Sequence, residues 1–279
     1  MSTFGYRLRF GLQLALTLAT CAFLIAPVIM SIMAGVTRNY FTGIVGSGVT
    51  LQWLEQVWHL YSQTVYLSLQ IALACLAVTL VLGVPAAYVL ARSRSRLTRL
   101  VEELLVLPIA VPGLATGLAL ILTYGDVRAF RTSWLFILVG HVLYTLPFML
   151  RSVLAVMSSI DLRTLEEGAA SLGASFRQRF FGVIVPNVRS GILAGALMVV
   201  TLSIGEFNIT WMLYTPLTKT LPVGLAETYA SMRLEVGSAY TIVFFIMIIP
   251  LLVAMQMMSR ERRRMVRVAE GGNGNPASR

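Results

Sequence analysis

Long, uninterrupted runs of apolar residues recur along this chain, and the charged residues fall between the runs instead of alternating with apolar positions. A helix that crosses a bilayer needs roughly 20 consecutive, mostly apolar residues. The pattern therefore predicts an all-α membrane protein with six transmembrane helices. Their predicted ranges are Phe10–Ala34, Thr64–Ala91, Leu104–Tyr124, Trp134–Met157, Ile192–Leu213 and Ala239–Met258.

The first apolar run could be either a cleaved signal peptide or a retained transmembrane anchor. A signal peptide has a short apolar core followed by small residues at a cleavage site. This run lacks such a site and contains Pro27 deep inside it, which favours the anchor. Three parts follow: residues 1–63 form a transmembrane helix and an outer loop, residues 64–258 form the main transmembrane domain, and residues 259–279 form a basic tail that we expect to be disordered.

Composition agrees with a location in the bilayer. Of the 279 residues, 57% are hydrophobic and 12% are charged, and the mean hydropathy is +0.79. Soluble globular proteins are about 45–50% apolar and about 25% charged, so a cytosolic enzyme, a disordered chain and a secreted disulfide scaffold are excluded. Cys21 and Cys75 lie inside apolar runs without a ligand cluster, so neither a metal site nor a cofactor is predicted.

The basic residues predict the orientation of the chain. The formal net charge is +10, and of the 22 Lys and Arg residues sixteen fall in the segments on one side of the membrane and five on the other. Segments rich in Lys and Arg stay in the cytoplasm. Both termini are therefore predicted to be cytoplasmic, together with the long connection between the fourth and fifth helices, residues 158–190, called the 158–190 loop below.

The 158–190 loop has a helical pattern of its own. Asp161 or Ser159 can cap a helix, and Gly173 can end it with a left-handed residue. One apolar stripe repeats at helical spacing between them: Leu162, Leu165, Ala169 and Leu172. A second short amphipathic segment contains three aromatic residues: Phe176, Phe180 and Phe181. The loop is thus predicted to be a short helix–turn–helix.

Two surroundings are open to this helix–turn–helix. It could lie in the headgroup layer of the membrane, where helices usually carry Lys and Arg on the polar face. The first helix instead carries Glu166 and Glu167, which the anionic inner leaflet would repel. A protein partner is therefore the favoured interpretation.

The same loop resembles the EAA loop of ABC importer permeases. The family consensus is Glu-Ala-Ala, three residues, Gly, nine residues and Ile-x-Leu-Pro. At the same spacing this chain has Glu167, Gly168, Ala169, Gly173, Val183, Val185 and Pro186. The departures are Gly168 for the first Ala, and Val183 and Val185 for Ile and Leu. The resemblance covers about Thr64 to Met258, the type-1 permease domain, and includes the segments Leu107–Leu120 and Thr220–Arg233.

The resemblance implies how such a chain works. In that family the loop helix is a coupling helix that docks into a groove on a separate ATPase subunit. The residues implied in ATPase coupling are Glu167, Gly168, Ala169, Leu172, Gly173 and Pro186. The implied partners are an ATP-binding cassette ATPase dimer, a second permease subunit that we expect to be a different chain, and a periplasmic substrate-binding protein, all at a bacterial inner membrane. This sequence has no GxxxxGK[ST] phosphate loop, so ATP hydrolysis is expected on the separate chain and not on this non-catalytic subunit.

Glu206 is an ionisable residue inside the predicted fifth helix, and such residues are usually functional or paired. One interpretation is that Glu206, Asn208 and Thr210 line the translocation path and that the carboxylate meets a cationic substrate group. The other is a structural ion pair with an Arg of this chain or of a partner permease. His141 is predicted to be a packing residue, because no partner lies at metal spacing.

The segment Ser203–Leu213 resembles importers of spermidine and putrescine most, with importers of aminoethylphosphonate and ferric iron close behind. The expected substrate is a polyamine or another small amine-bearing solute. An ion-coupled secondary transporter would show inverted repeats and a cluster of intramembrane carboxylates, and an intramembrane enzyme would need a nucleophile with its base or a metal set. The sequence has neither pattern, and a structural scaffold would leave the acidic loop helix unexplained.

Overall fold

The computed structural model describes residues 3–93 and 95–271, and side chains for 9–43, 45–93, 95–253 and 257. The described chain is helical and has no strand, only an isolated antiparallel bridge between Thr37 and Val49. The main helices are α1 (Thr3–Val36), α2 (Gln52–Arg92), α3 (Arg96–Val106), α4 (Gly113–Tyr124), α5 (Trp134–Met157), α6 (Leu162–Ser171), α7 (Val185–Gly205), α8 (Asn208–Leu213), α9 (Leu221–Ala230) and α10 (Leu234–Gly271). Shorter helical turns cover Tyr40–Thr42, Gly43–Ser47, Leu107–Ala110, Arg128–Arg131, Phe176–Arg179 and Phe180–Ile184.

Several of these helices are long and apolar enough to cross a membrane. The described residues contain five such stretches, at Arg9–Val36, Gln52–Arg92, Trp134–Met157, Phe176–Gly205 and Leu234–Val253. A sixth crossing requires Arg96–Ala110 and Gly113–Tyr124 to act together as one bent span. The predicted all-α membrane fold is confirmed. The last described helix, α10, runs to Gly271. The rest of the predicted tail, 272–279, lies outside the described residues.

The predicted third span over Leu104–Tyr124 is not one straight helix but a bent pair of helices. The two halves, α3 with its following turn and α4, are bent by 105° at the break between them. Val111 there is extended, with ψ of 127°, and Pro112 precedes α4. Proline lacks the N–H that a continuous helix needs, and it drives the residue before it out of the helical region.

The predicted fifth helix over Ile192–Leu213 is also interrupted. α7 ends at Gly205, Glu206 is extended with ψ of 122°, and the short helix α8 follows. The predicted outer loop is shorter than expected as well, because α2 already begins at Gln52.

One compact unit combines the chain up to Ser62 with Gly224–Ile246. In this unit the C-terminal end of α1 packs tightly on α10, since a Cβ on Gly35 would lie 2.9 Å from the backbone nitrogen of Ala239. The Tyr40 N–H donates to Oε1 of Glu235 over 3.0 Å. Before its C-terminal end, the described part of α1 is mostly apolar and exposed, so this surface needs lipid or another protein around it.

The other unit combines Gln63–Val223 with the chain from Met247 onward. Its main core lies among α2, α5, α7 and the 158–190 loop and includes Cys75, Ala87, Met149, Val153, Ile184 and Val188. α7 approaches α5 closely along two glycines. A Cβ on Gly191 would lie 2.6 Å from the carbonyl oxygen of Ser152, and one on Gly195 would lie 2.7 Å from Sδ of Met149. Only glycine allows this approach.

Candidate functional site

The first helix of the 158–190 loop, α6, begins at a carboxylate cap. Asp161 accepts two hydrogen bonds from Thr164, one from its Oγ1 hydroxyl over 2.7 Å and one from the Thr164 backbone N–H over 3.2 Å. These two hydrogen bonds hold the pKa of Asp161 below its ordinary value of 3.8. The cap is therefore ionised at neutral pH, where its charge also favours the positive end of the helix. Of the two caps that the sequence allows, the structure uses Asp161.

α6 ends at Ser171, and Gly173 follows as the left-handed residue predicted to terminate it. This residue has a φ of +80°, and its N–H donates to the carbonyl oxygen of Ala170 over 2.9 Å. Nothing lies within 4 Å of the place where a Cβ would sit, so the requirement for glycine comes from the backbone conformation and not from crowding. The next segment starts with a capping box between Ser175 and Gln178.

The second segment of the loop does not end before the fifth crossing. The turn Phe176–Arg179 continues through a π-helical turn, Phe180–Ile184, into α7. Pro186 follows this π-helical turn and does not break the helix, which continues to Gly205, because a π-helical turn can satisfy backbone groups that a proline frees. The predicted helix–turn–helix is thus one short helix, one turn and the beginning of a crossing helix.

The two faces of α6 have different surroundings. Leu162 and Glu166 are buried, at 8% and 6% exposure, whereas Leu172 is 89% exposed. The predicted apolar stripe is therefore divided between the core and the surface. Of the six predicted coupling residues, Ala169 is half-buried. The other five are exposed: Glu167, Gly168, Leu172, Gly173 and Pro186. Phe176 is also exposed, and Glu167 accepts a 2.7 Å hydrogen bond from Nε of Arg163, whose side chain is exposed as well.

The buried face of α6 is tied to the end of α2. The hydroxyl of Tyr88 donates to Oε1 of Glu166, and it accepts a hydrogen bond from Arg92 over 3.1 Å. Nε of Arg92 lies 3.5 Å from Oε2 of Glu166. The ring of Tyr88 also contacts Phe176 and Phe180, with centroids 6.2 Å and 5.5 Å away. No sequence pattern singles out Tyr88 or Arg92. The one hint in the sequence is that the two residues are four positions apart, on one helix face, at the end of an apolar run.

A second polar cluster surrounds Glu206 at the break between α7 and α8. Oε1 of Glu206 accepts the N–H of Ile209 over 2.8 Å. Oε2 accepts the N–H and the hydroxyl of Thr210 over 2.9 Å and 2.8 Å. The carboxylate thus satisfies N–H groups that have no helical partner at the start of α8, which explains why the helix is interrupted here.

His141 connects this carboxylate to α7. Its Nε2 lies 2.8 Å from Oγ1 of Thr210 and 3.6 Å from Oε2 of Glu206, and its Nδ1 lies 2.8 Å from Oγ of Ser203. The contacts fit an assignment in which Ser203 donates to Nδ1, Nε2–H donates to Thr210, and Thr210 donates to the Glu206 carboxylate. In that assignment His141 is neutral and each of its ring nitrogens has a partner. The packing role predicted for His141 agrees with this burial and these hydrogen bonds.

The three predicted path residues have different surroundings. Glu206 and Thr210 are buried, at 7% and 0% exposure, and Asn208 is exposed. The recorded ionisable partner of Glu206 within this chain is His141, not the Arg considered from the sequence. A role for the three residues in translocation stays a prediction. Among the described residues, no group of three or more His, Cys, Asp or Glu side chains could hold a metal ion.

Comparison with known proteins identifies relatives along most of the chain. Residues 80–264 match the family model described as "Binding-protein-dependent transport system inner membrane component". The chain is 28% identical over 214 residues to the sulfate transport system permease protein CysW of Synechocystis, covering 72% of this chain and 77% of that protein. It is 26% identical over 241 residues to the putative 2-aminoethylphosphonate transport system permease protein PhnV of Salmonella typhimurium, covering 85% and 90%. It is 30% identical over 159 residues to the molybdenum transport system permease protein ModB of Azotobacter vinelandii, covering 53% and 70%.

Solved structures agree on the fold. A chain of a bacterial alginate ABC transporter, crystallised with an alginate pentasaccharide-bound periplasmic protein, superposes with a TM-score of 0.67 at 16% identity. The match covers 91% of this chain and 94% of that one. Because the family model spans well over half of the sequence and the fold agrees, the chain belongs to the binding-protein-dependent transport system inner membrane components and is a permease subunit of an ABC importer.

Proposed function

We propose that this permease forms part of the translocation path through the bacterial inner membrane and is driven through its 158–190 loop by a separate ATPase dimer. The observation that carries the proposal is the surface around Gly173. There the motif residues Glu167, Gly168 and Leu172 are exposed together. Leu172 at 89% and Phe176 at 54% exposure place two large apolar side chains of the loop at the surface, where contact with another protein would bury them.

The remaining partners belong to the same proposal. Both termini and the 158–190 loop face the cytoplasm, so the ATPase meets α6 there. A second permease, different from this chain, completes the path, and a periplasmic binding protein delivers the substrate. Two observations support a complex in the membrane: the exposed apolar surface of α1, and the match to the family.

Copurification tests the docking surface. In a membrane preparation that contains all subunits, Glu167→Arg and Leu172→Arg should remove most of the ATPase that copurifies with the wild-type permease. We expect a loss of about tenfold, because an unpaired charge enters a desolvated contact. Leu217→Arg is the matched control, since Leu217 is 92% exposed but lies between the fifth and sixth crossings, on the predicted opposite side.

Normal ATPase recovery and normal uptake in both loop variants would contradict the docking role. Recovery of the permease itself, quantified in the same membranes, separates failed docking from failed insertion.

For the substrate, we propose a small oxyanion, with 2-aminoethylphosphonate as the first candidate. The relatives are named for transport of sulfate, 2-aminoethylphosphonate and molybdenum, and PhnV covers the largest share of this chain among the three. 2-Aminoethylphosphonate also carries the primary amine expected from the sequence. The polyamine alternative depends on a pore carboxylate, and Glu206 already receives three hydrogen bonds from its own chain.

Uptake in cells that contain the complete importer decides between these substrates. Radiolabelled 2-aminoethylphosphonate should accumulate, and unlabelled spermidine or ferric iron should not compete with it. If Glu206 is structural, Glu206→Gln should lower uptake only in proportion to the loss of folded permease. Spermidine uptake whose KM rises in a stably folded Glu206→Gln variant would instead support the polyamine alternative.

A further inference from the structure

Two adjacent glutamates in α6 differ strongly in burial and in their partners. The side chain of Glu167 is 64% exposed and pairs with exposed Arg163, whereas that of Glu166 is 7% exposed. Burying a carboxylate is costly unless hydrogen bonds and charges satisfy it. Glu166 meets this condition through Tyr88 and Arg92, both on α2. Glu166 is therefore tied to α2, whereas Glu167 pairs within α6.

Tyr88 joins three elements at one point. Its hydroxyl bonds to Glu166 of α6, its ring lies against Phe176 and Phe180 of the segment that leads into α7, and its own backbone belongs to α2. Tyr88, Leu162 and Phe180 also belong to the same buried core. A displacement of α6 would thus act on α2 directly as well as on α7 through the chain.

We infer that Tyr88, Glu166 and Arg92 form an internal latch that transmits the movement of the 158–190 loop to the crossing helix α2. This inference rests on the proposed function, because the movement would come from the ATPase. The latch residues are positioning residues and not docking residues. Loss of the Tyr88 hydroxyl would leave Glu166 buried with a weaker set of partners, so α6 would still hold its outward surface but would follow α2 less closely.

The test uses the full complex of permeases and ATPase and the variant Tyr88→Phe, which keeps the ring contacts and removes only the hydroxyl. Amide hydrogen exchange is measured over residues 84–92 and 162–171, with and without ATP and vanadate. In the wild type, nucleotide should change exchange in both segments. In Tyr88→Phe, exchange over 162–171 should rise about tenfold, as expected for the loss of a buried charged hydrogen bond, and the nucleotide effect over 84–92 should disappear.

Two further variants make the result specific. Glu166→Gln should reproduce the effect, and the double variant should add little to either single change, because both remove the same connection. Tyr124→Phe is the matched control: that tyrosine is 46% exposed and also contacts a phenylalanine ring. A merely destabilising effect would lower the thermal midpoint and raise exchange in both segments without removing the nucleotide response.

A wild-type nucleotide response over 84–92 in both Tyr88→Phe and Glu166→Gln would overturn the latch. If the wild-type permease itself fails to retain the ATPase, the proposed docking fails instead, and the two outcomes are thereby distinguished. The copurified ATPase should remain at the wild-type level in the latch variants, in contrast to Glu167→Arg.

Discussion

Thr210 contacts both ionisable residues of the buried polar cluster, Glu206 and His141. It is fully buried, donates its N–H and hydroxyl to Glu206, and lies 2.8 Å from Nε2 of His141. Because these groups are buried, removing the hydrogen-bond partner of any one of them would lower the stability of the folded protein. The cluster thus gives the buried Glu206 carboxylate hydrogen-bond partners from its own chain inside the membrane domain.

Thr210→Val keeps the shape of the side chain and removes the shared hydroxyl. We expect the free energy of unfolding to fall by about 2 kcal/mol, because His141 loses an acceptor and Glu206 loses a donor. The midpoint of thermal unfolding in detergent measures the change. Thr123→Val is the control, since the exposed Thr123 hydroxyl bonds only to a carbonyl oxygen of its own helix. Equal midpoints for the two variants would show that the cluster contributes little.

At the scale of helices, contact between α5 and α7 depends on small residues. Gly191 and Gly195 bring the α7 backbone onto α5 at distances that exclude a methyl group. In lipid, where apolar surfaces gain little by leaving the solvent, such van der Waals contact is a main source of helix association. Movement of the 158–190 loop, which leads into α7, would therefore reach α5 as well.

Gly191→Ala should weaken this contact, because the new Cβ would lie 2.6 Å from the Ser152 carbonyl oxygen and the backbones would have to separate. We expect a loss of about 1–3 kcal/mol, the usual cost of overpacking. Gly11→Ala is the matched control: nothing lies within 4 Å of its Cβ position, so alanine should be neutral or slightly stabilising. Thermal unfolding in detergent compares the two, and a Gly191→Ala protein as stable as Gly11→Ala would contradict the packing argument.

At the scale of the whole molecule, orientation decides which surfaces meet which partners. Phe41 in the predicted outer segment is 80% exposed, and Arg177 in the 158–190 loop is also exposed. Cys21 is exposed and Cys75 is buried, so only Cys21 has to be replaced before new cysteines are introduced.

In a Cys21→Ser background, Phe41→Cys should react with a membrane-impermeant maleimide in cells whose outer membrane is permeabilised. Arg177→Cys should react only after the inner membrane is opened, because Lys- and Arg-rich segments stay inside. Gel-shift labelling reads out both. The opposite pattern would reverse the orientation and place the 158–190 loop out of reach of a cytoplasmic ATPase.

Much of this protein follows from its sequence because the bilayer imposes simple local rules. Apolar run length predicts the crossing segments, and the backbone requirement at Gly173 predicts the end of α6. The spacing from Glu167 to Pro186 points to the permease family. Pro108 and Pro112 also carry the local signal for the bend between α3 and α4, although run length alone predicts a continuous helix there.

Tertiary structure alone decided which polar groups meet. Glu206 is visible in the sequence as an intramembrane charge, but its partner His141 lies on another helix, and only folding brings them to 3.6 Å. Likewise, the sequence treats Glu166 and Glu167 alike, and the position of α2 makes one buried and the other exposed. Helical periodicity determines which residues share a face, but the packing of distant helices determines what that face contacts.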